Sequence, residues 1–166
     1  VDDFDELWQF AALVEGWGPA RSRRPKLGIA CFSGGEAALI ADHCAERGIT
    51  LDPPSKQFVE YVDDAFEYAQ AGNPFDLTGE IIGRPEKAQP ALQAFVEMNG
   101  YDELLIASPL LREGLARRYY TNLEETVRAV DARVFLSAWP AGDLTKTQMS
   151  ILHAMGAPVL PGSTHA

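Results

Sequence analysis

Ser33, Gly34, Gly35 and Glu36 stand at the junction of an apolar run, Leu27 to Phe32, and a helical pattern from about Glu36 to Arg47. Two glycines at a strand-to-helix turn let the backbone bend sharply and leave its N–H groups open. A helix N-terminus adds unpaired donors and the positive end of the helix dipole, so such a turn can hold an anion, most often phosphate. A second chemistry fits the same residues. Ser33 as N-cap and Glu36 at N3 make a capping box that satisfies the turn internally, with no ligand. Glu36 also brings a negative charge to the proposed phosphate. Residue chemistry alone leaves both readings open, because a two-glycine turn is far less specific than a full phosphate loop.

The elements around this turn place it. Leu27, Ile29, Ala30, Cys31 and Phe32 form a near-continuous apolar strand, as expected when both faces of a parallel sheet are covered. Gly48 falls where a C′ glycine would end the helix. Farther along, Ile49 to Leu51 reads as a short second strand, stopped by Pro53-Pro54, and Lys56 to about Tyr68 as a helix. Ala71 to Gly83 is rich in turn formers. Pro85 to about Met98 is helical and closed by Asn99-Gly100; Leu104 to Ala107 is a strand. A helix over Asn122 to Ala132, a strand over Val134 to Ala138, a helix over Asp143 to Met155 and a strand over Pro158 to Leu160 complete the alternation. Strands alternating with helices predict an α/β protein: a flavodoxin-like, doubly wound parallel sheet in three α/β/α layers. In such sheets ligands gather at the carboxyl ends of the strands, where the Ser33-Gly34-Gly35 turn must lie.

The 166 residues suit one domain with a real core, and 46% are hydrophobic. No apolar run approaches the ~20 residues of a membrane span, and no basic-then-apolar leader occurs. A formal charge of −10 argues against nucleic acid and anionic membranes as partners. It also opposes tight binding of a phosphorylated ligand by this stretch alone. Cys31 and Cys44 occupy core-like positions and read as buried free thiols, which suits a reducing cytoplasm. At the N-terminus, apolar residues at helical spacing (Phe4, Leu7, Trp8, Ala11, Val14) lead into a polar linker, Gly16 to Pro25. Residues 1–25 are therefore read as helix and linker, and 26–166 as the α/β domain. Val1-Asp2-Asp3-Phe4 opens inside a helical pattern without an initiator Met, as expected of a piece of a longer protein.

Gly72-Asn73-Pro74-Phe75-Asp76-Leu77-Thr78-Gly79 is the second informative stretch. By residue type it is a loop: Gly, Asn, Pro and Asp are turn formers, and the residue before a proline is pushed to extended geometry. Taken together, Ser33-Gly-Gly-x-x-x-Leu39-x-Ala41-Asp42 and Asn73-Pro74-x-Asp76-Leu-Thr78-Gly79 resemble the ADP-forming (NDP-forming) acyl-CoA synthetases, the superfamily of acetate–CoA ligase (ADP-forming) and succinyl-CoA synthetase. The Ser-Gly-Gly-Glu-Ala-Ala form is similar to members of a feruloyl-CoA synthetase-like subtype. The strand Val134 to Ala138 and Gly156-Ala-Pro-Val159 also follow the family's pattern, so the resemblance covers nearly the whole chain.

What the resemblance implies is a ligase. Such enzymes interconvert an organic acid, CoA and ATP with acyl-CoA, ADP and phosphate, through an acyl phosphate and a phosphorylated histidine, with Mg²⁺. Two helix N-termini from different flavodoxin-like domains converge on that phosphate; Ser33, Gly34, Gly35 and Glu36 would supply one. Asn73, Pro74, Asp76 and Thr78 would form an active-site loop beside the same crevice, where Asp76 orients a neighbour or holds Mg²⁺ rather than touching phosphate. The family's Ser-His-Thr-Gly type histidine motif does not occur here: His43 and His153 lie within helical patterns, and His165 stands in Ser163-Thr164-His165-Ala166. The glycine pattern of a CoA-binding Rossmann domain and a nucleotide-grasp domain are absent as well. The chain accordingly reads as the second flavodoxin-like ligase domain of a larger synthetase, without catalytic residues of its own and without tight binding of ATP/ADP, CoA or Mg²⁺. The CoA-binding, phosphohistidine and nucleotide-grasp domains are its expected partners.

Other constellations read as structural. Asp63-Asp64 and Asp2-Asp3 are solvated helix charges or first-turn caps. Trp8, Trp17 and Trp139 suit packing better than a flavin platform, and Arg21, Arg23 and Arg24 belong to the linker. Two further function classes stay open on residue chemistry: a non-catalytic interaction module with the same fold, and a flavin- or nucleotide-binding protein.

Overall fold

The computed structural model describes residues 24–109, 123–139 and 159–161, together with Ala11 and Glu15, both helical. Five parallel strands form one sheet: β1 (Leu27–Cys31), β2 (Phe75–Asp76), β3 (Glu103–Pro109), β4 (Arg133–Trp139) and β5 (Val159–Pro161). Their order is β2-β1-β3-β4-β5, the doubly wound flavodoxin-like order. The helices are α1 (Gly34–Glu46), α2 (Lys56–Ala65), the single turn α3 (Glu80–Gly83), α4 (Ala88–Asn99) behind a 3₁₀ turn at Pro85–Lys87, and α5 over 123–129.

Strand alternation sorts the sheet into two faces. Ala30, Phe32, Leu104, Ile106, Val134 and Leu136 face the main core, where Phe58 and Val62 of α2, Leu92, Phe95 and Val96 of α4, and Leu123 and Val130 meet them. Phe58 packs edge-on against Phe75 at 5.0 Å and lies 5.1 Å from Phe95, so α2 and α4 share one aromatic cluster. Tyr101 closes that cluster 4.8 Å from Phe95. Its ring covers Gly28, where a Cβ would stand only 2.6 Å from Tyr101 Cδ2. The other face carries α1. There Leu27, Ile29, Leu105 and Phe135 line an apolar groove of ≈ 360 Å³ with Ile40, Cys44 and Ile49.

Helix ends follow the sequence chemistry. Gly48 takes φ +65°, and the N–H groups of Gly48 and Ile49 bond the carbonyls of Ala45 and Cys44, a Schellman closure of α1. Gly100, at φ +63°, ends α4. Both cysteines are buried free thiols.

The second strand differs from expectation. Ile49 to Leu51 is not a strand, and Ile49 is 39% exposed. The edge position beside β1 is filled by β2, from the stretch that reads as a loop; burial of Phe75 against Phe58 and Phe95 outweighs the turn formers before it. Helix α2 also stops at Ala65, short of Tyr68, and β3 and β4 extend beyond the expected limits to Pro109 and Trp139. The helices expected over Asp2 to Glu15 (Ala11 and Glu15 excepted) and Asp143 to Met155 lie outside the described residues. So do Trp8, Trp17, Arg21, Arg23, His153 and His165.

Candidate functional site

Register alone brings the two motifs together. Cys31, the last residue of β1, stands opposite Asp76, the last of β2. The chain then leaves β1 into the Ser33 turn and leaves β2 into the Leu77–Gly79 turn, side by side at the carboxyl edge of the sheet. Leu77 extends the pairing by donating its N–H to the Cys31 carbonyl at 2.9 Å.

Ser33 is the N-cap of α1: extended at φ −157°, it accepts the Glu36 N–H on Oγ at 3.3 Å. Its carbonyl takes the Ala37 N–H at 3.0 Å. Glu36 folds back, but one residue farther than a capping box would send it: Oε2 accepts the N–H of Phe32 at 3.3 Å. Of the first-turn donors, Glu36 and Ala37 are therefore satisfied. The N–H groups of Gly34 and Gly35 have no acceptor among the described residues, and both glycines are exposed. Gly35 shows no positive φ, and a Cβ there would meet nothing within 4 Å. Its place in α1 is ordinary helix.

Asp76 is the buried carboxylate of this edge, 5% exposed. Oδ1 accepts the Thr78 N–H at 2.8 Å, an Asx turn that shapes the loop. Oδ2 points the other way and would stand 3.4 Å from a Cβ on Gly34. Thr78 sits at φ 56°, where a β-branched residue is rare, and its Oγ1 accepts the Glu80 N–H at 3.3 Å, starting α3. Glu80 then anchors the loop: Oε1 takes Lys87 Nζ at 3.1 Å, and Oε2 takes the Glu67 N–H at 3.3 Å. The bond from Lys87 holds the Glu80 carboxyl below its ordinary value. Lys87 also reaches the Ala65 carbonyl at 2.8 Å and lies over the Phe66 ring.

Among the described residues the edge around this turn is acidic. Burial raises the Glu36 carboxyl, and the Asp76 charge raises it further, while the Phe32 N–H works against both. Below them Cys31 Sγ lies 3.7 Å from the carbonyls of Ser33 and Phe75. Burial pushes its thiol up to about 12, with Asp76 and Glu36 adding to the effect, so it stays protonated and is no nucleophile.

Asn73 is not with the others. Its Oδ1 accepts the Ile29 N–H at 3.0 Å and its Nδ2 donates to the carbonyls of Leu27 and Asp52 at 2.9 and 3.1 Å. The carboxamide thus mimics the ladder partner that the first half of β1 lacks on its outer edge. Pro74 follows through a cis peptide bond and leads the chain into β2. Both residues sit upstream of the carboxyl edge, where Ser33, Gly34, Gly35, Glu36, Asp76 and Thr78 gather. His43, on α1, has its Nδ1 3.4 Å from Glu46 Oε2.

Two solved structures share this architecture. PH0766 from Pyrococcus horikoshii OT3 matches with a TM-score of 0.76 and 17% identity, over 98% of this chain and 37% of its own. A dinucleotide-forming acetyl-coenzyme A synthetase 1 from Ca. Korarchaeum cryptofilum, in its apo form, matches with a TM-score of 0.69 and 16% identity, over 98% of this chain and 35% of its own. No family profile and no curated protein matches the sequence. The chain thus spans little more than a third of each of these longer proteins, and at such identities the likeness shows the flavodoxin-like fold.

Proposed function

We propose that this chain is a phosphate-handling domain of an ADP-forming acyl-CoA synthetase, working within a larger assembly. One observation carries the reading: two motifs forty residues apart in sequence meet at one edge of the sheet, where Gly34, whose N–H has no acceptor among the described residues, lies beside buried Asp76. The Korarchaeum neighbour is a synthetase of acetyl-coenzyme A, and its likeness in fold supports the same assignment. Thr78 adds to it, since left-handed backbone in a β-branched residue costs about 1–3 kcal/mol and gathers at functional loops.

In this proposal the turn donates Gly34 and Gly35 N–H groups to the oxygens of a phosphoryl group carried by a histidine on another domain, and α1 adds its dipole. Phosphoryl transfer asks little of the protein beyond positioning and charge stabilisation, which such a turn supplies. Asp76, fixed by Thr78, shapes the mouth. Among the described residues no group of three or more His, Cys, Asp or Glu could hold a metal ion. Mg²⁺ would therefore be held by the phosphate and by ligands on another domain. ATP/ADP and CoA would bind the nucleotide-grasp and CoA-binding partners. Among the described residues no helix is long and apolar enough to cross a membrane, and a cytoplasmic setting suits the two free thiols. The feruloyl-like subtype rests on the six-residue form of the turn alone, and the acid substrate would be set by other domains.

The Glu36 N–H donated to Ser33 Oγ and the Phe32 N–H accepted by Glu36 Oε2 favour a second reading, in which the turn is only a helix cap and the domain an interaction module. One experiment tests the assignment. The polypeptide encoded by the intact gene, assayed with CoA, ATP and a panel of acids, forms acyl-CoA, ADP and phosphate through a phosphohistidine, whereas this chain alone is inactive. Acyl-CoA formation by this chain alone, or an intact polypeptide that never phosphorylates a histidine, overturns the assignment.

A further inference from the structure

A cradle of N–H groups gains nothing from a carboxylate at its rim, yet Asp76 is 5% exposed and turned toward Gly34. Its Oδ1 is engaged by the Thr78 N–H, whereas Oδ2 has no partner among the described residues. A carboxylate oxygen only accepts. Against a fully deprotonated oxyanion it opposes acceptor to acceptor, and like charge to like charge. Among the described residues no cation offsets this at the turn: the titratable groups beside it are Glu36, which accepts the Phe32 N–H at 3.3 Å, and the buried thiol of Cys31. The arrangement is complementary to an anion of mixed character. Such an anion offers bare oxygens to the N–H groups of Gly34 and Gly35 and one O–H to Asp76 Oδ2. Inorganic phosphate keeps at least one P–O–H at neutral pH. Sulfate keeps none.

We propose that Asp76 is the specificity determinant of this edge, accepting the O–H of a protonated phosphate and turning away oxyanions that lack one. The proposal rests on the reading of Ser33 to Glu36 as an anion site, and it names the ligand's protonation state. An O–H donated to a carboxylate makes a short, charge-assisted bond. One such bond separates two ligands by about tenfold or more.

The test uses the ¹⁵N-labelled chain, titrated with inorganic phosphate and with sulfate at pH 7 and matched ionic strength. The Gly34 and Gly35 amide shifts are the readout. Phosphate is expected to saturate them at a concentration at least about tenfold below that of sulfate. Asp76→Asn keeps an acceptor for the Thr78 N–H and gains an N–H for the ligand, so it should bring the two anions to within about twofold, by losing the O–H acceptor and admitting sulfate. Thermal melting shows whether the variant folds; if it does not, selectivity in the unaltered chain decides alone. Equal affinity for both anions in the unaltered chain overturns the role of Asp76 while leaving the anion site standing. No shift at Gly34 or Gly35 with either anion overturns the anion site itself, and this proposal with it.

Discussion

Gly35 offers the cleanest separation of fold from function. An anion cradle invites the expectation of a positive φ at this glycine, and hence a cost of about 1–3 kcal/mol for any side chain there. The structure removes that cost: Gly35 is helical, without positive φ, and a Cβ on it meets no atom within 4 Å. Glycine is about 0.8–1.0 kcal/mol worse than alanine in a helix interior, and valine loses about half of that advantage again. Gly35→Val should therefore leave stability unchanged or raise it by about 0.5 kcal/mol, a shift in Tm of ~1–2 °C for a chain of this size. The same side chain stands at the mouth of the turn, where a phosphoryl group would approach the Gly34 and Gly35 N–H groups. Displacing one preorganised donor set costs on the order of 10²-fold in rate. In the intact polypeptide, phosphohistidine formation from ATP should fall by about that factor while the melting curve stays in place. A folded Gly35→Val protein that phosphorylates its histidine at the normal rate would leave Ser33 to Glu36 as a helix cap. A variant that melts several degrees lower would refute the open geometry on which the reasoning stands.

Other perturbations test the frame around the turn. Gly28→Ala puts a methyl 2.6 Å from Tyr101 Cδ2 and 3.1 Å from Phe95 Cε1, so the ring cluster must shift. Urea unfolding should show a loss of about 1–3 kcal/mol, and an unchanged midpoint would contradict the packing of Tyr101 on β1. Glu80 is held below its ordinary carboxyl value by Lys87, so its contribution is present above that ordinary value and lost as pH falls through the lower, folded one. Lys87→Met should flatten the acid side of the stability–pH profile, and a variant profile parallel to the original would discount this anchor. Cys31 and Cys44 have raised thiol values through burial. Iodoacetamide at pH 8 should label neither in the native chain and both in denaturant; rapid native labelling of Cys31 would mean the turn above it opens.

Elements whose signals are local were legible in the sequence, and the one that depends on tertiary burial was not. Ser33 as N-cap, Gly48 and Gly100 as left-handed helix ends, and the apolar runs of β1, β3 and β4 each follow from a few neighbouring residues. Strand β2 has two residues, too few for any periodicity, and is preceded by Gly72, Asn73 and Pro74. What makes it a strand is Phe75, wholly buried between Phe58 and Phe95, which are separated from it by seventeen and twenty residues of chain. Ile49 to Leu51 had the β-branched composition and lacked such a socket.

Asn73 shows that residues of one short stretch can hold different places in the fold. In sequence it shares a short stretch with Asp76 and Thr78, and residue type alone gives it the same claim to a site. Three-residue spacing along an extended segment is up to about 10 Å, enough to separate one end of an edge strand from the other. Asp76 thus lies at the carboxyl end of the sheet, opposite Cys31, while Asn73 faces Leu27 and Ile29 and serves as their ladder partner. An asparagine carboxamide suits that duty because it presents one donor and one acceptor side by side, as a peptide does. The Asn-Pro-x-Asp spacing therefore does two jobs with one segment. Its first residue pins the segment to β1, and its fourth turns a carboxylate toward Gly34. Asn73→Asp would keep the acceptor for Ile29 and lose the donor to Leu27 and Asp52, leaving a carboxylate against two carbonyls. The expected result is a loss of about 1–3 kcal/mol in stability with the Gly34 and Gly35 amide response to phosphate retained wherever the chain is folded. Loss of that response in a chain as stable as the original would place Asn73 in the site.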